Sequence, residues 1–265
     1  MTGVALSERT VRWLLLALAA AAGCLDAVCV SRLGGVFASV VTGNLVQLGR
    51  AAATADGWAA AGAAVAVASY AAGVAAGTTG LRSQTTKPRA QTTEPHHPVA
   101  GPHQPAAGPH HQTTEPRQPA AAGWWRRTTM VAAGETALLA GVAVGWQATG
   151  ARPGHAATLL LLCAAAAAMG VQSAVTLGSG VAGASTTYLT GTLTSMVRHA
   201  ITGPHAVTGT GGAARLGALL CGAAAGAGVL RVAPLWAPTL AAALVAAAVA
   251  TALVAGARFN SGPRA

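Results

Sequence analysis

A chain of 265 residues with 53% hydrophobic and only 8% charged side chains excludes a soluble globular domain, which carries about 25% charged residues. The net charge of +10 comes from basic residues scattered singly between apolar runs, the pattern of topology-setting Arg in membrane loops, and not from a clustered basic face of the nucleic-acid-binding kind. Cys24, Cys29, Cys163 and Cys221 all fall inside apolar segments without a CxxC spacing or a His partner, which argues for membrane-buried thiols over a disulfide framework or a zinc site.

Eight apolar segments follow in chain order. The first, about 13–31, carries Asp26; Arg9 and Arg12 ahead of it give it the look of a secretory signal ending at Cys24. That reading is rejected, because the residues that follow recur later in the chain. The second segment, about 36–49, is short and contains Thr42, Gly43 and Asn44, with Gln47 one turn on. The third covers about 57–81. A Pro-dense tract over 83–123, with three near-copies of Gln-Thr-Thr-Lys/Glu-Pro, has no apolar surface to bury and is predicted to be a disordered loop. His96, His97, His103, His110 and His111 sit there at irregular spacing, which does not make a metal site.

The fourth segment, about 128–149, has Glu135 near its start, where an interfacial position is expected. The fifth, about 155–177, carries Gln172 and Ser173. The sixth, about 184–198, is again short and contains Thr186, Thr187 and Tyr188, then Thr190, Gly191 and Thr192. The seventh and eighth cover about 212–230 and 235–257. Full-length segments run near the 20 residues that cross a bilayer, and the second and sixth fall short of it. Trp124, Trp125 and Trp236 stand at segment ends, as interface anchors do. Gly73-xxx-Gly77, Gly141-xxx-Gly145 and Gly222-xxx-Gly226 read as small-residue faces for close helix packing and as a route to homo-oligomers.

The chain matches itself. Gly23, Asp26, Ala27 and Val28 align with Gly170, Ser173, Ala174 and Val175. Gly35, Thr42, Gly43, Leu45 and Arg50 align with Gly183, Thr190, Gly191, Leu193 and Arg198, and Gly73, Gly77, Leu81 and Arg82 with Gly222, Gly226, Leu230 and Arg231. Three matches in order on three consecutive segments argue for duplication. If the short segments do not cross, only Arg32, Arg50, Arg152 and Arg231 fall on one side, and the remaining 12 of the 16 Lys and Arg share the side of the termini. This distribution satisfies the positive-inside rule with both termini and the 83–123 loop cytoplasmic. Three crossings per half is an odd number, which inverts the second half relative to the first, the plan of many secondary transporters.

The expected fold is therefore all-α: a polytopic membrane protein of about six transmembrane helices in two inverted repeats, each with a short broken or re-entrant Thr-Gly segment. Residues 1–82 hold the first three segments, 83–123 the loop, 124–150 the last helix of the first repeat and 151–265 the second repeat. Gly, Thr and Asn disfavour a helix interior, and non-helical backbone at membrane depth survives only inside protein or along a wet cavity. Two such elements meeting at a symmetry axis would offer helix ends to a solute. The plainer alternative is that Thr-Gly-Asn caps a short packed helix. Asp26 within a crossing is costly unless protonated, paired or facing water, and is a candidate proton or cation site. The candidate solute-binding set is Asp26, Thr42, Gly43, Asn44, Gln47, Gln172, Ser173, Thr187, Thr190, Gly191 and Thr192.

The stretch Gly23–Gly49, with "GCLDAV" leading to "GGVFASVVTGNLVQLG", and the second pair "MGVQSAV" and "STTYLTGTLT" resemble the YoaK-like family of bacterial integral membrane proteins. The likeness spans nearly the whole chain outside 83–123. Where that family tends to have Gln-Asn-Ala, this chain has Gln172-Ser173-Ala174. The resemblance implies a multi-pass protein of the bacterial cell membrane with this segment layout, and it brings no activity. The leading expectation is a small-solute transporter or permease with its site between the two Thr-Gly elements. The alternative is a non-transporting scaffold or sensor whose polar residues only lock helices together. A membrane-embedded enzyme would need clustered acids or His in the bilayer, and no phosphate loop, HExxH or GxSxG appears, so no enzymatic activity, cofactor or metal is expected. The expected partners are the lipid bilayer and an unknown small solute, with no nucleic acid.

Overall fold

The computed structural model describes residues 7–82, 121–178 and 209–260, together with Gly191, Leu193, Thr194, Val197 and Ile201. These residues form α1 (Glu8–Arg32), α2 (Val41–Ala53), α3 (Gly57–Leu81), α4 (Ala121–Ala148), α5 (His155–Gly178), α6 (Gly209–Val232) and α7 (Ala237–Asn260), with a 3₁₀ turn at Pro234–Trp236 before α7. All but α2 are long and apolar enough to cross a membrane, so the protein is a polytopic membrane protein with six spans among the described residues. No strand occurs among the described residues.

Local sequence sets the ends of these helices. Ser7 caps α1 by accepting a hydrogen bond from the Thr10 amide, with Glu8 in the first turn. Helix α1 ends at Arg32, and Gly34 and Gly35 follow with φ of +87° and +75°, backbone that Gly adopts without strain. Asp56 caps α3 through the Ala59 amide. Between α4 and α5 the chain reverses within residues 149–154, where Gly150 and Ala151 both have positive φ.

Four helices form a closed quartet: α1 touches α5 and α7, and α4 touches the same two. Helix α3 lies along the outside of α5, α6 along the outside of α1, and α2 rests on α3. Within their most apolar windows α1 is 56% and α5 67% buried, against 22% for each of the other four spans, so α1 and α5 are the central pair. Outward-facing Leu160, Leu220, Met130, Val144 and Val232 are exposed apolar side chains, as a lipid-facing surface requires.

In a bilayer no hydrophobic force draws helices together, so close packing of small residues must do it. A Cβ at Gly23 of α1 would collide with the Leu219 carbonyl of α6, and one at Gly170 of α5 with the Tyr70 carbonyl of α3. The reverse contacts exist as well: Gly222 of α6 sits against the Ala20 carbonyl and Gly73 of α3 against the Ala167 carbonyl. Gly226 and Gly77 continue the rows, against Cys24 and Val171. The spacing that separates Gly73 from Gly222 also separates Tyr70 from Leu219, and the spacing from Gly23 to Gly170 also runs from Ala20 to Ala167 and from Cys24 to Val171. The two contacts, α1 with α6 and α3 with α5, are thus made by matching residues. Two of the three expected small-residue faces lie in these contacts. On the third, Gly145 meets the Leu161 side chain, while Gly141 has nothing within 4 Å.

Candidate functional site

Two groups of polar side chains lie inside the bundle. The first surrounds the irregular stretch between α1 and α2. Asp26 is 7% exposed, and its Oδ1 accepts hydrogen bonds from the amides of Ala38 and Ser39, both at 2.8 Å. Its Oδ2 accepts from the Ser39 hydroxyl at 2.5 Å. Asn44, 1% exposed, pairs reciprocally with Phe37: its Oδ1 accepts from the Phe37 amide at 2.8 Å and its Nδ2 donates to the Phe37 carbonyl at 2.7 Å. Gln47 donates from Nε2 to the Gly35 carbonyl at 3.3 Å and accepts at Oε1 from Arg50 Nε at 3.0 Å. Three side chains flanking the loop therefore hold the backbone of Gly35, Phe37, Ala38 and Ser39, replacing ladder bonds that the loop cannot make for itself.

The Thr-Gly element has a local reason. Thr42, Gly43 and Asn44 form the first turn of α2, and the break in helix lies earlier, at Gly34 and Gly35. A Cβ at Gly43 would press on the Phe37 ring at 3.2 Å, so Gly lets that ring lie across the helix start while Asn44 grips its backbone. Thr42 is exposed. In the second element Gly191 is helical, and Thr187, Thr190 and Thr192 lie outside the described residues.

The second group is in the quartet itself. Gln172 of α5 is fully buried; its Nε2 donates to the Leu18 carbonyl of α1 at 3.2 Å, and its Oε1 has no hydrogen-bond partner. Beside it Ser173, 2% exposed, accepts at Oγ from the Tyr70 hydroxyl of α3 at 2.7 Å, and its carbonyl accepts from Thr176. Glu135 of α4 is 1% exposed and its Oε1 is buried without a partner. It belongs to a buried stripe with Leu139, Val142 and Trp146, whose indole N–H donates to the Pro234 carbonyl at 2.8 Å.

The expected interfacial placing of Glu135 is corrected by this burial. The residue stands eight positions inside the span Arg127–Ala148, roughly 12 Å along the helix axis from its first residue. Ala and Gly dominate α4, so the sequence has no strong apolar periodicity to mark which face turns inward; the signal that remained was an acid alone in an apolar run. Among the described residues no group of three His, Cys, Asp or Glu comes together, and all four cysteines are free thiols.

The candidate residues thus fall in two places. Asp26, Asn44 and Gln47 come together around the α1–α2 loop, while Gln172 and Ser173 stand on α5 among α1, α3 and α4, with Glu135 an addition to the set. In comparisons with known proteins, neither a curated protein nor a solved structure matches. Residues 14–253 match a family described as a protein of unknown function, DUF1275. That match takes in both polar groups, four of the six spans whole and most of the first and last, in keeping with the YoaK-like signatures, and the chain belongs to the DUF1275 family.

Proposed function

We propose that this protein is a small-solute transporter or permease of the bacterial cell membrane, built from two inverted repeats. The solute path runs along the seam of α1 and α5. The observation that carries this reading is the exchange of contacts: Gly23 against Leu219 is answered by Gly170 against Tyr70, and Gly222 against Ala20 by Gly73 against Ala167. Helices related by the sequence match swap partners, as they do about a two-fold axis. With three crossings per half that axis lies in the membrane plane. It passes where α1 meets α5, where Gln172 of α5 bonds the Leu18 carbonyl of α1 with Ser173 beside it; Asp26 stands about two turns farther along α1, at the α1–α2 loop. The excess of Lys and Arg on the side of the termini supports a cytoplasmic place for both termini. No covalent chemistry is assigned to any of these groups.

Single-cysteine labelling on a Cys-free background tests the architecture. Probes at Arg32, Arg50 and Arg152 are expected to label from one side of the membrane and a probe at Ser179 from the other. Opposite sides for Arg32 and Arg50 would mean that α2 crosses, which would remove the inversion. The second reading, a scaffold or sensor, is favoured by a different observation: the polar atoms of Asp26 and Asn44 are all turned to the loop backbone or to Ser39. Thermal stabilisation of the purified protein by one member of a solute panel would support transport, and a stable protein partner on pull-down would support the scaffold.

A further inference from the structure

The quartet holds two acceptors without donors. Glu135 Oε1 and Gln172 Oε1 are both buried and both unpartnered. They stand at the same depth. Gly145 of α4 meets Leu161 of α5, and the two helices run antiparallel from the short reversal between them. Ten residues back along α4 is Glu135, and about as many forward along α5 is Gln172. Among the described side chains no Lys or Arg stands on α3, α5 or α7; Arg127 lies about two turns away on α4 itself, and the buried Arg215 is on α6, which packs on α1. Of the helices packed on α4, α3 has Tyr70 as its one titratable side chain, already donating to Ser173, and α5 has His155 at its far end and Cys163, which is exposed. Over its described side chains, Ala237–Gly256, α7 has none.

A carboxylate in this place, its Oε1 buried without a partner, is expensive to keep charged and alone. It requires one positive charge, and a neutral amide oxygen at the same depth is the natural second ligand for it. We infer that Glu135 and Gln172 form an intramembrane site for a single monovalent cation, which is either a proton held on the carboxyl and donated to Gln172 Oε1 or a sodium- or potassium-sized ion held between the two oxygens. The single acid sets the charge at one, and among the described residues no further acid, Cys or His joins it to make the ligand set of a divalent metal. As the coupling ion of a transporter this site rests on the reading above; as a binding site it is measured without it.

The test is infrared difference spectroscopy on the full-length protein in nanodiscs, with E135Q used to identify the Glu135 carboxylic C=O band. In N-methyl-D-glucamine chloride at about pH 5 that band is expected to be present in the wild type and missing in E135Q. Loss of at least about half of it on alkalinisation to about pH 10, with no effect of salt, identifies a proton site. Its loss at constant pH on adding sodium or potassium chloride identifies a metal-cation site. A band that responds to neither, or no band at all, overturns the proposal and leaves Glu135 a structural acid. Q172L is expected to shift the midpoint by about tenfold in cation concentration, or about one pH unit; an unchanged midpoint overturns the pairing with Gln172. Wild-type labelling by dicyclohexylcarbodiimide, read by mass spectrometry on the Glu135 peptide, gives the same answer without a variant. Labelling falls with the bound cation or with rising pH if the site exists and stays constant if it does not. A responsive band in a protein that moves no solute would keep the site and remove the transporter, and solute flux with an inert band would do the reverse.

Discussion

The two buried polar groups differ in one respect that separates folding from function. Around the α1–α2 loop every polar atom of Asp26 and Asn44 meets a partner of this chain at 2.5–2.8 Å. In the quartet, Glu135 and Gln172 each keep an oxygen with no partner at all. Both groups are equally hidden from solvent, so burial alone does not distinguish them. A satisfied network fixes one conformation and leaves nothing to bind with. An unsatisfied acceptor in the same surroundings stores affinity for a ligand that supplies the missing donor or charge. Asp26 lies within a crossing segment, yet its oxygens are engaged; Glu135, near the start of its segment, is the open one.

The largest effects should come from breaking the satisfied group. D26A leaves the amides of Ala38 and Ser39 and the Ser39 hydroxyl without their acceptor, and is expected to lower stability by about 3 kcal/mol. D26N keeps one acceptor in place and should lose about half as much, roughly 1.5 kcal/mol. Unfolding by sodium dodecyl sulfate in mixed micelles, followed by exposure of the buried Cys24 and Cys29 thiols to a maleimide dye, measures both. A loss under about 0.5 kcal/mol for D26A would return Asp26 to the functional side of the comparison. N44A removes the reciprocal pair with Phe37 and is expected to lose about 2 kcal/mol in the same assay.

Much of this layout was legible before any coordinates. The six spans fall within a few residues of the apolar segments, because length and hydropathy are properties of single stretches. The duplicated glycines are visible as a pattern, and Gly73 and Gly222 are packing positions as that pattern implies. Their partners were not: that Gly23 meets Leu219 depends on how α1 and α6 are laid side by side, which no local pattern encodes. The Thr-Gly signal was visible and its chemistry was not. A side chain such as Asn44 that grips a backbone seven residues behind it looks the same in sequence as one that faces a cavity. Glu135 shows the converse. Its depth follows from the span limits, but its inward face follows from the contacts of α4 with α5 and α7, which an Ala- and Gly-rich helix does not announce.

Smaller effects sharpen the comparison from the quartet side. Y70F removes the hydroxyl that donates to Ser173, a bond between helices of the kind worth about 0.6 kcal/mol inside a membrane, and a loss near that value is expected in the unfolding assay. A much larger loss would place Ser173 with the satisfied scaffold around Asp26 and not with the open pair beside it.

E135Q should have the smallest effect on stability of all, within about 0.5 kcal/mol of wild type, and its sign is the informative part. The amide keeps the shape and volume of the carboxyl, so the packing of Leu139 and Val142 around it is undisturbed. It removes the group that must otherwise carry a proton or a cation into the bilayer, which tends to stabilise. In an Asp26-like site the same swap would exchange an acceptor for a donor in front of two amides and would be felt strongly. A loss above about 2 kcal/mol for E135Q would therefore mean that Glu135 is held by a partner as firmly as Asp26 is, and the distinction between a folded network and an open site would fail at its most exposed point.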